Sequence, residues 1–425
     1  MPRLPSLLLI LLTCQTAFAE KQWDRFRGPN GSGVSNSAKL PATWSPQDYK
    51  WSIKLPGVGH SSPVIWNQRL FTTVADREAG QRQLLCVDIK SGKVVWQKNY
   101  AFDQFKHNKQ NSSATHTPAV DAERIYTLWQ TNTGSLLRAL DHDGNEVWQV
   151  DLTSYHGGHG PGTSPIVYKD LVIVCNEMGK VGESYLLALD SSTGKPRWRI
   201  DRIGDRACYS TPCIYQPAGH DPQLIFTHSY RGITGVDPAN GKQLWAVDVF
   251  GTHNQRAIGS PVVAGSLIIG SSGFTSGIKH VVAVQPTLEE EQFSVQEVYR
   301  VSKTVPHVPT PLVYGEKMFL WTDTGIVGCF NVANGKVQWQ GRVGGTFYSS
   351  PVCASGLLYG VDRDGLVTVV DASASTFTIL ARNQLGDACA ATPAISGDSI
   401  FFKTHSRLIC IDGSQLQSKT RKPPR

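Results

Sequence analysis

The feature that most constrains this chain is a short pattern occurring eight times: a serine or threonine, a proline, then mostly apolar residues. It reads SPV at Ser62–Val64, TPAV at Thr117–Val120, SPIV at Ser164–Val167 and TPCI at Thr211–Ile214. It continues as SPVV at Ser260–Val263, TPLV at Thr310–Val313, SPVC at Ser350–Cys353 and TPAI at Thr392–Ile395. The prolines (Pro63, Pro118, Pro165, Pro212, Pro261, Pro311, Pro351, Pro393) stand 55, 47, 47, 49, 50, 40 and 42 residues apart. Such a period means a propeller or solenoid array, not a row of independent domains.

A second marker runs in phase. After each proline comes an apolar strand ending in Asp or a near equivalent, then a Gly turn, then often Trp. The copies run Cys86–Trp96, Ala139–Trp148, Ala188–Trp198, Gly235–Trp245 and Cys329–Trp339, with degenerate ones at Ala283–Pro286, Val369–Ala372 and Cys410–Gly413. Each repeat thus holds four short β patterns. Proline opens the first, where a missing donor is tolerated. The Asp…Gly turn joins the third to the fourth, and Trp is a large apolar body suited to docking between sheets. No segment carries a convincing helical period.

The last repeat lacks a fourth strand, and an orphan of that kind, Asp48–Leu55, precedes the first proline. Pairing the two closes a ring and removes the exposed edges of an open array. The expected fold is therefore all-β: an eight-bladed propeller of four-stranded blades over residues 48–413, with Trp51 in the eighth blade. Trp51, Trp96, Trp148, Trp198, Trp245 and Trp339 are its docking residues. Residues 20–47 read as an extension outside the blades and 414–425 as a basic, disordered tail.

The Ala-x-Asp-x-x-Thr-Gly-x-x-x-Trp run resembles the tryptophan-docking motif of pyrroloquinoline-quinone (PQQ) repeats. These occur in quinoprotein alcohol dehydrogenases and in the outer-membrane assembly factor BamB. Trp23–Ser35 and Leu40–Val64 resemble a third group more closely, the secreted PQQ-like propeller proteins of planctomycetes and similar bacteria. The resemblance spans the chain beyond its leader and implies the propeller fold. It leaves function to the site, because one fold hosts many functions.

Arg3, the apolar run Leu7–Leu12 and the small residues Ala17 and Ala19 have a signal-peptide layout over residues 1–19, cleaved near Ala19. A lipoprotein reading would use Cys14, but Thr13 suits it poorly. No stretch is long and apolar enough for a transmembrane helix. Export makes disulfides possible. Yet Cys86, Cys329 and Cys410 share a slot with Ala and Gly, so most of the eight cysteines beyond Cys14 are expected to be reduced core residues, with Cys208 and Cys389 set apart four residues before a repeat proline. The net charge of +7 includes the tail's Lys and Arg, and no basic stripe interleaved with aromatics points to nucleic acid.

The segments leading into the innermost strands carry His60, His116, His156, His159, Arg206, Tyr209, His253, Arg256, His307, Tyr348 and Asp387. Eight blades would gather them on one face as a cationic, His-rich funnel, a candidate ligand site. The longest inserted loop, Ala101–Thr115, sits between the first and second blades. The expectation is an exported (periplasmic or secreted), monomeric, non-catalytic binding scaffold for a small ligand or an envelope partner, with no cofactor and no metal. One alternative is a PQQ-dependent dehydrogenase. There Arg206 and Arg256 would meet the quinone carboxylates and Asn176-Glu177 would offer oxygen ligands to calcium. The other is a BamB-like assembly factor. No GxSxG elbow, phosphate loop or metal-ligand spacing appears.

Overall fold

The structure is a computed structural model that describes residues 22–420 apart from 37–38, 204–205, 252–254 and 291, with side chains described as far as Leu416 at the C-terminal end. The expected signal peptide, Cys14 and His253 lie outside the described residues.

Eight antiparallel four-stranded sheets follow one another as the repeats foretell. In blade 1 the strands are Val64–Trp66, Arg69–Asp76, Gln81–Asp88 and Val94–Ala101, ordered from channel to rim. Blade 8 consists of Ala394–Ser396, Ser399–Lys403 and Arg407–Asp412, completed by the N-terminal strand Tyr49–Lys54. Trp51 lies opposite Cys410 in that pairing, so the ring is closed as expected.

The Ser or Thr before each repeat proline has one structural task. Its side-chain oxygen accepts the backbone N–H of the equivalent residue one blade earlier. Ser62 N donates to Thr117 Oγ1 (2.9 Å), Thr117 N to Ser164 Oγ (2.9 Å), Ser164 N to Thr211 Oγ1 (3.3 Å) and Thr211 N to Ser260 Oγ (3.0 Å). Ser260 N donates to Thr310 Oγ1 (3.1 Å), Thr310 N to Ser350 Oγ (3.0 Å), Ser350 N to Thr392 Oγ1 (3.0 Å) and Thr392 N back to Ser62 Oγ (3.1 Å). The cycle closes with no break. A hydroxyl satisfies this buried donor with a small, uncharged acceptor.

At larger radius the tryptophans link the same neighbours. The residue opposite each indole is small: Cys86 faces Trp96, Ala139 faces Trp148, Ala188 faces Trp198, Gly235 faces Trp245 and Cys329 faces Trp339. Each ring then lies on the turn of the next blade. A Cβ at Gly92 would come within 2.7 Å of Trp51, at Gly194 within 2.7 Å of Trp148, and at Gly241 within 2.8 Å of Trp198. The indole N–H donates to a carbonyl of that turn, as Trp51 does to Ile89 O (2.9 Å) and Trp198 to Pro238 O (2.8 Å). Trp245 departs from this, because blade 5 has no Gly turn. Its Nε1 donates to Gln223 within its own blade (2.7 Å), and Phe293 and Val295 of the long hairpin Lys279–Glu289/Gln292–Val301 pack on its cluster. The eight cysteines are free and buried, as expected.

The sequence reading placed residues 20–47 outside the blades, and here the structure differs. Residues 23–35 plug the channel. Trp23 exchanges hydrogen bonds with Ile65 of blade 1, Asp24 O accepts from Val120 N of blade 2 (2.8 Å), and the Arg25 guanidinium donates to Pro212 O. Asn30 holds both backbone groups of Ile214 in blade 4 (2.7 and 2.8 Å), while Val34–Ser35 pairs in parallel with Cys353–Ala354 as a fifth strand of blade 7. Fully buried Arg27 donates to Gly31 O, Ser32 O, Thr310 O, Pro311 O and Pro351 O at 3.0–3.3 Å. Burial lowers its pKa to about 9. Gly28 must be glycine: its φ is +66° and a Cβ would meet Trp23 at 2.4 Å. The plug supplies partners to strand edges that the ring itself leaves open. Trp44 and Leu40 are buried as well. The tail also differs from expectation. It begins as a helix, Gly413–Thr420, with Asp412 Oδ1 accepting from Ser414 N and Oγ, and Leu416 packs on the core.

Two outcomes follow. Thr117→Val orphans the Ser62 N–H inside the ring and should lower stability by about 1–3 kcal/mol, whereas Thr117→Ser should stay within about 1 kcal/mol. Equal urea midpoints for the two variants would refute a load on that hydroxyl. Deleting residues 23–35 should cost at least the ~3–5 kcal/mol of one buried tryptophan, measured by thermal or urea unfolding. An unchanged transition would show that the plug is dispensable.

Candidate functional site

The first strand of each blade runs away from the mouth and the second returns. The loops entering first strands and the turns ending second strands therefore share one face. On that face they surround a cavity of about 540 Å³. Its floor is Phe26 of the plug together with seven ring residues (Ser62, Thr117, Ser164, Thr211, Thr310, Ser350 and Thr392).

Of the residues expected there, the structure brings His60, His159, Arg206, Tyr209, Arg256, His307 and Tyr348 to the cavity wall. His116 is not among them. It is buried in blade 2, bonded through Nε2 to Gln130 (2.9 Å), which donates on to Asn176 (3.0 Å). Asp387 does not line it either: its Oδ2 accepts from Ser406 N and Oγ (2.7 and 2.8 Å) and caps a turn. His156 belongs to a separate groove between blades 2 and 3. Each miss has the same cause. Sequence phase places a residue on a loop, but local hydrogen bonds decide which way its side chain turns.

The expected His-rich positive charge is also revised. Burial, together with the neighbouring Lys403, Arg363 and imidazole of His405, lowers His60 to about 3. Burial lowers His307 to about 4 and His116 to about 4. His159 is lowered by burial and by Arg256 and Arg206. These imidazoles are neutral at pH 7, so the charge comes from the arginines. Arg256 is set by a bridge in which its N–H donates to Gly273 O (2.7 Å); its Nη1 donates to Ala207 O (2.9 Å) and its guanidinium lies 5.8 Å from the Tyr209 ring. The Arg206 guanidinium lies 5.2 Å from the Phe274 ring. Neither arginine has a carboxylate partner among the described residues, and both Nε atoms are buried without an acceptor.

Sequence reasoning missed Phe26, Phe274 and Asp323. Asp323 ends a second strand and lines the cavity, yet both its oxygens accept backbone N–H groups, from His307 (2.6 Å) and Val308 (3.0 Å). The inserted loop 101–115 is a strap across the mouth. Its base is held by buried Arg82, which lies over Phe102 (4.6 Å) and Trp129 (5.0 Å) and donates to Ser113 O. Its tip reaches the loop entering blade 7, where Gln110 Nε2 donates to Tyr348 Oη (2.6 Å), and the loop entering blade 3, where Asn111 donates to His159 O and Pro161 O (both 2.9 Å).

The oxygen ligands expected for a calcium-bound quinone are engaged elsewhere in this structure. Asp323 is committed to backbone, and Glu177 pairs with Arg202 (3.1 Å) and His228 (3.6 Å), both buried. Asn176 Nδ2 donates to Glu183 O and its Oδ1 accepts from Gln130. The Asn176-Glu177 pair thus serves the packing of blades 2–4 and makes no oxygen cage at the cavity.

The fold and its repeats define the class: a PQQ-type eight-bladed propeller. A family profile described as outer membrane protein assembly factor BamB matches residues 44–207, 182–317 and 232–415, and the chain belongs to that family. Outer membrane protein assembly factor BamB of Moranella endobia (strain PCIT) is 23% identical over 293 residues, covering 67% of this chain and 71% of that protein. The structure of BamB from Moraxella catarrhalis superposes with a TM-score of 0.61 at 16% identity, covering 85% of this chain and 95% of that one. A europium-containing methanol dehydrogenase superposes with a TM-score of 0.67 at 13% identity, covering 91% and 90%. These structural likenesses speak to the fold.

The neutral histidines give a pH signature. An unfolded histidine titrates near 6.5 and folded His116 near 4. Between those values the unfolded chain holds a proton that the folded chain lacks. Stability is therefore full above pH ~6.5 and declines on acidification, by up to about 1.4 kcal/mol per pH unit for each such group. His116→Gln should flatten that decline between pH 6.5 and 4, read from urea unfolding at stepped pH; an unchanged slope would place the proton elsewhere.

Proposed function

We propose that this chain is an exported, non-catalytic binding propeller that takes a small anionic ligand into its funnel. The observation that carries the reading is the pair Arg206 and Arg256, lining a cavity whose one carboxylate among the described residues, Asp323, has both oxygens engaged by backbone donors. A site rich in donors and poor in free acceptors selects an acceptor-rich anion. The wall does hold a hydroxyl–imidazole contact, Thr275 Oγ1 to His307 Nδ1 at 3.2 Å, but Asp323 accepts from the His307 backbone N–H and not from its ring, so among the described residues no third group orients that imidazole as a base. The strap narrows the mouth, which favours a free small molecule over a segment of a folded partner.

The test is reconstitution of the purified protein with PQQ and Ca²⁺, followed by dye-linked oxidation of short alcohols and sugars, beside calorimetric titration with a panel of small carboxylates and sulfonates. The expected result is anion binding at one site, lost in the Arg206→Ala/Arg256→Ala double variant, with no turnover. Stoichiometric PQQ retention with alcohol oxidation would overturn the non-catalytic reading. Failure of every anion to bind would overturn the ligand class.

A second reading, docking of a protein partner in the manner that the family's description implies, is favoured by exposed apolar residues on the same face. Val181, Ile203 and Ile278 are 68, 71 and 54% exposed around blades 3–5. Retrieval of an envelope protein by the wild type but not by a Val181→Asp/Ile203→Asp variant would support it.

A further inference from the structure

The funnel sets apolar side chains beside its two arginines, and together they describe its ligand more closely. Resting on the anion-binding reading above, we infer that the site takes an amphiphilic organic anion: a compact apolar body, aromatic or alicyclic, bearing a carboxylate or sulfonate at one end. Most of the lining is apolar. Phe26, Ile258, Phe274 and Val308 all face the space. Among the lining residues the positive charge sits on the loops entering blades 4 and 5, where Arg256 is near enough to disfavour the proton of Arg206.

Three details point the same way. The guanidiniums stand beside Phe274 and Tyr209 at 5.2 and 5.8 Å. Aromatic partners hold an arginine in place without neutralising it. Among the described residues neither guanidinium meets a carboxylate, and Arg256 Nη1 donates only to uncharged oxygens, Ala207 O (2.9 Å) and Tyr209 Oη (3.5 Å), which leaves the positive charge for an incoming oxyanion to pair. The ring hydroxyls beneath already accept a neighbouring N–H, so each keeps its own hydrogen to donate. A hydrated inorganic anion would pair with the arginines but leave the apolar groups wet. A neutral ring would cover the apolar groups and leave the arginines unmatched. Only a molecule with both parts answers both.

Phe26 becomes a specificity-determining residue in this reading, although it belongs to no blade. The plug's turn at Gly28 and the anchoring of Arg25 and Arg27 on either side of it fix its position in the floor. The stretch that stabilises the channel thus also shapes the ligand.

The probe is 1-anilinonaphthalene-8-sulfonate, titrated by fluorescence into the folded wild-type protein. Competition then uses 2-naphthoate, the neutral 2-naphthol, inorganic sulfate and PQQ. We expect one saturable site from which 2-naphthoate displaces the probe at concentrations at least tenfold lower than 2-naphthol or sulfate requires. PQQ, with three carboxylates for two arginines, should compete less well than 2-naphthoate. Phe26→Ala and Arg256→Ala should each weaken the probe at least tenfold, with melting curves confirming that the variants are folded. The wild-type series needs no variant and decides the matter if Phe26→Ala fails to fold. Displacement by sulfate as good as by 2-naphthoate would overturn the inference while leaving anion binding intact. So would PQQ competing better than 2-naphthoate, or indifference of a folded Phe26→Ala. If 2-naphthol matches 2-naphthoate, or no anion of either kind binds, the anion-binding reading fails with it.

Discussion

A cycle of eight hydrogen bonds, each from a backbone N–H to the hydroxyl of the next blade, is the constraint on which the rest of this molecule depends. Each bond alone is worth about 1 kcal/mol, but the cycle sets geometry as well as energy. It fixes the angle between neighbouring blades at the smallest radius, where a small error would be magnified at the rim. The proline that follows each hydroxyl residue removes a donor that would have no partner on the channel side. At the rim, the tryptophan of one blade lies on the glycine turn of the next and repeats the same neighbour relation. The structure is therefore stitched twice, once by polar groups and once by apolar ones.

The ring by itself would leave the inner strand edges facing an open channel. The N-terminal segment answers that problem with an unusual means, a fully buried arginine with no acid beside it. Arg27 spreads its charge over five carbonyl oxygens drawn from its own turn and from blades 6 and 7. Desolvation disfavours the charged form, and the carbonyl dipoles offset that cost enough for the cation to persist at neutral pH. The consequence for function is a blind funnel in place of a through-channel, with an aromatic residue at its base.

The chemistry of that funnel follows from what burial does to each type of cation. Imidazoles lose their proton when desolvated next to positive groups, so a face that reads as histidine-rich carries little histidine charge. Guanidiniums keep theirs. The polarity of the site is thus set by Arg206 and Arg256, and the histidines act as neutral hydrogen-bonding walls.

Much of the fold was legible in the sequence because repetition states the same contact eight times. The Ser/Thr-Pro marker, the Asp…Gly turn and the tryptophan announced blade number and strand order. The unpaired strand containing Trp51 announced ring closure. The small residue opposite each indole could be read from the slot shared by Cys, Ala and Gly. The plug could not be read this way, because Trp23, Arg25, Arg27 and Asn30 each meet a different blade once, and contacts made once leave no period. The site was half legible for a related reason. Repeat phase put Arg206, Arg256, His307 and Tyr348 on the correct face, but it put His116 and Asp387 there too. Whether a loop side chain faces the cavity or turns back is decided by one or two local partners, such as Gln130 for His116 and Ser406 for Asp387, and those partners lie 14 and 19 residues away. Sequence alone determined the architecture, since it rests on periodic, short-range chemistry. Tertiary structure decided the floor, the roof and the charge of the funnel, since those arise where segments distant in the chain exclude water from one another.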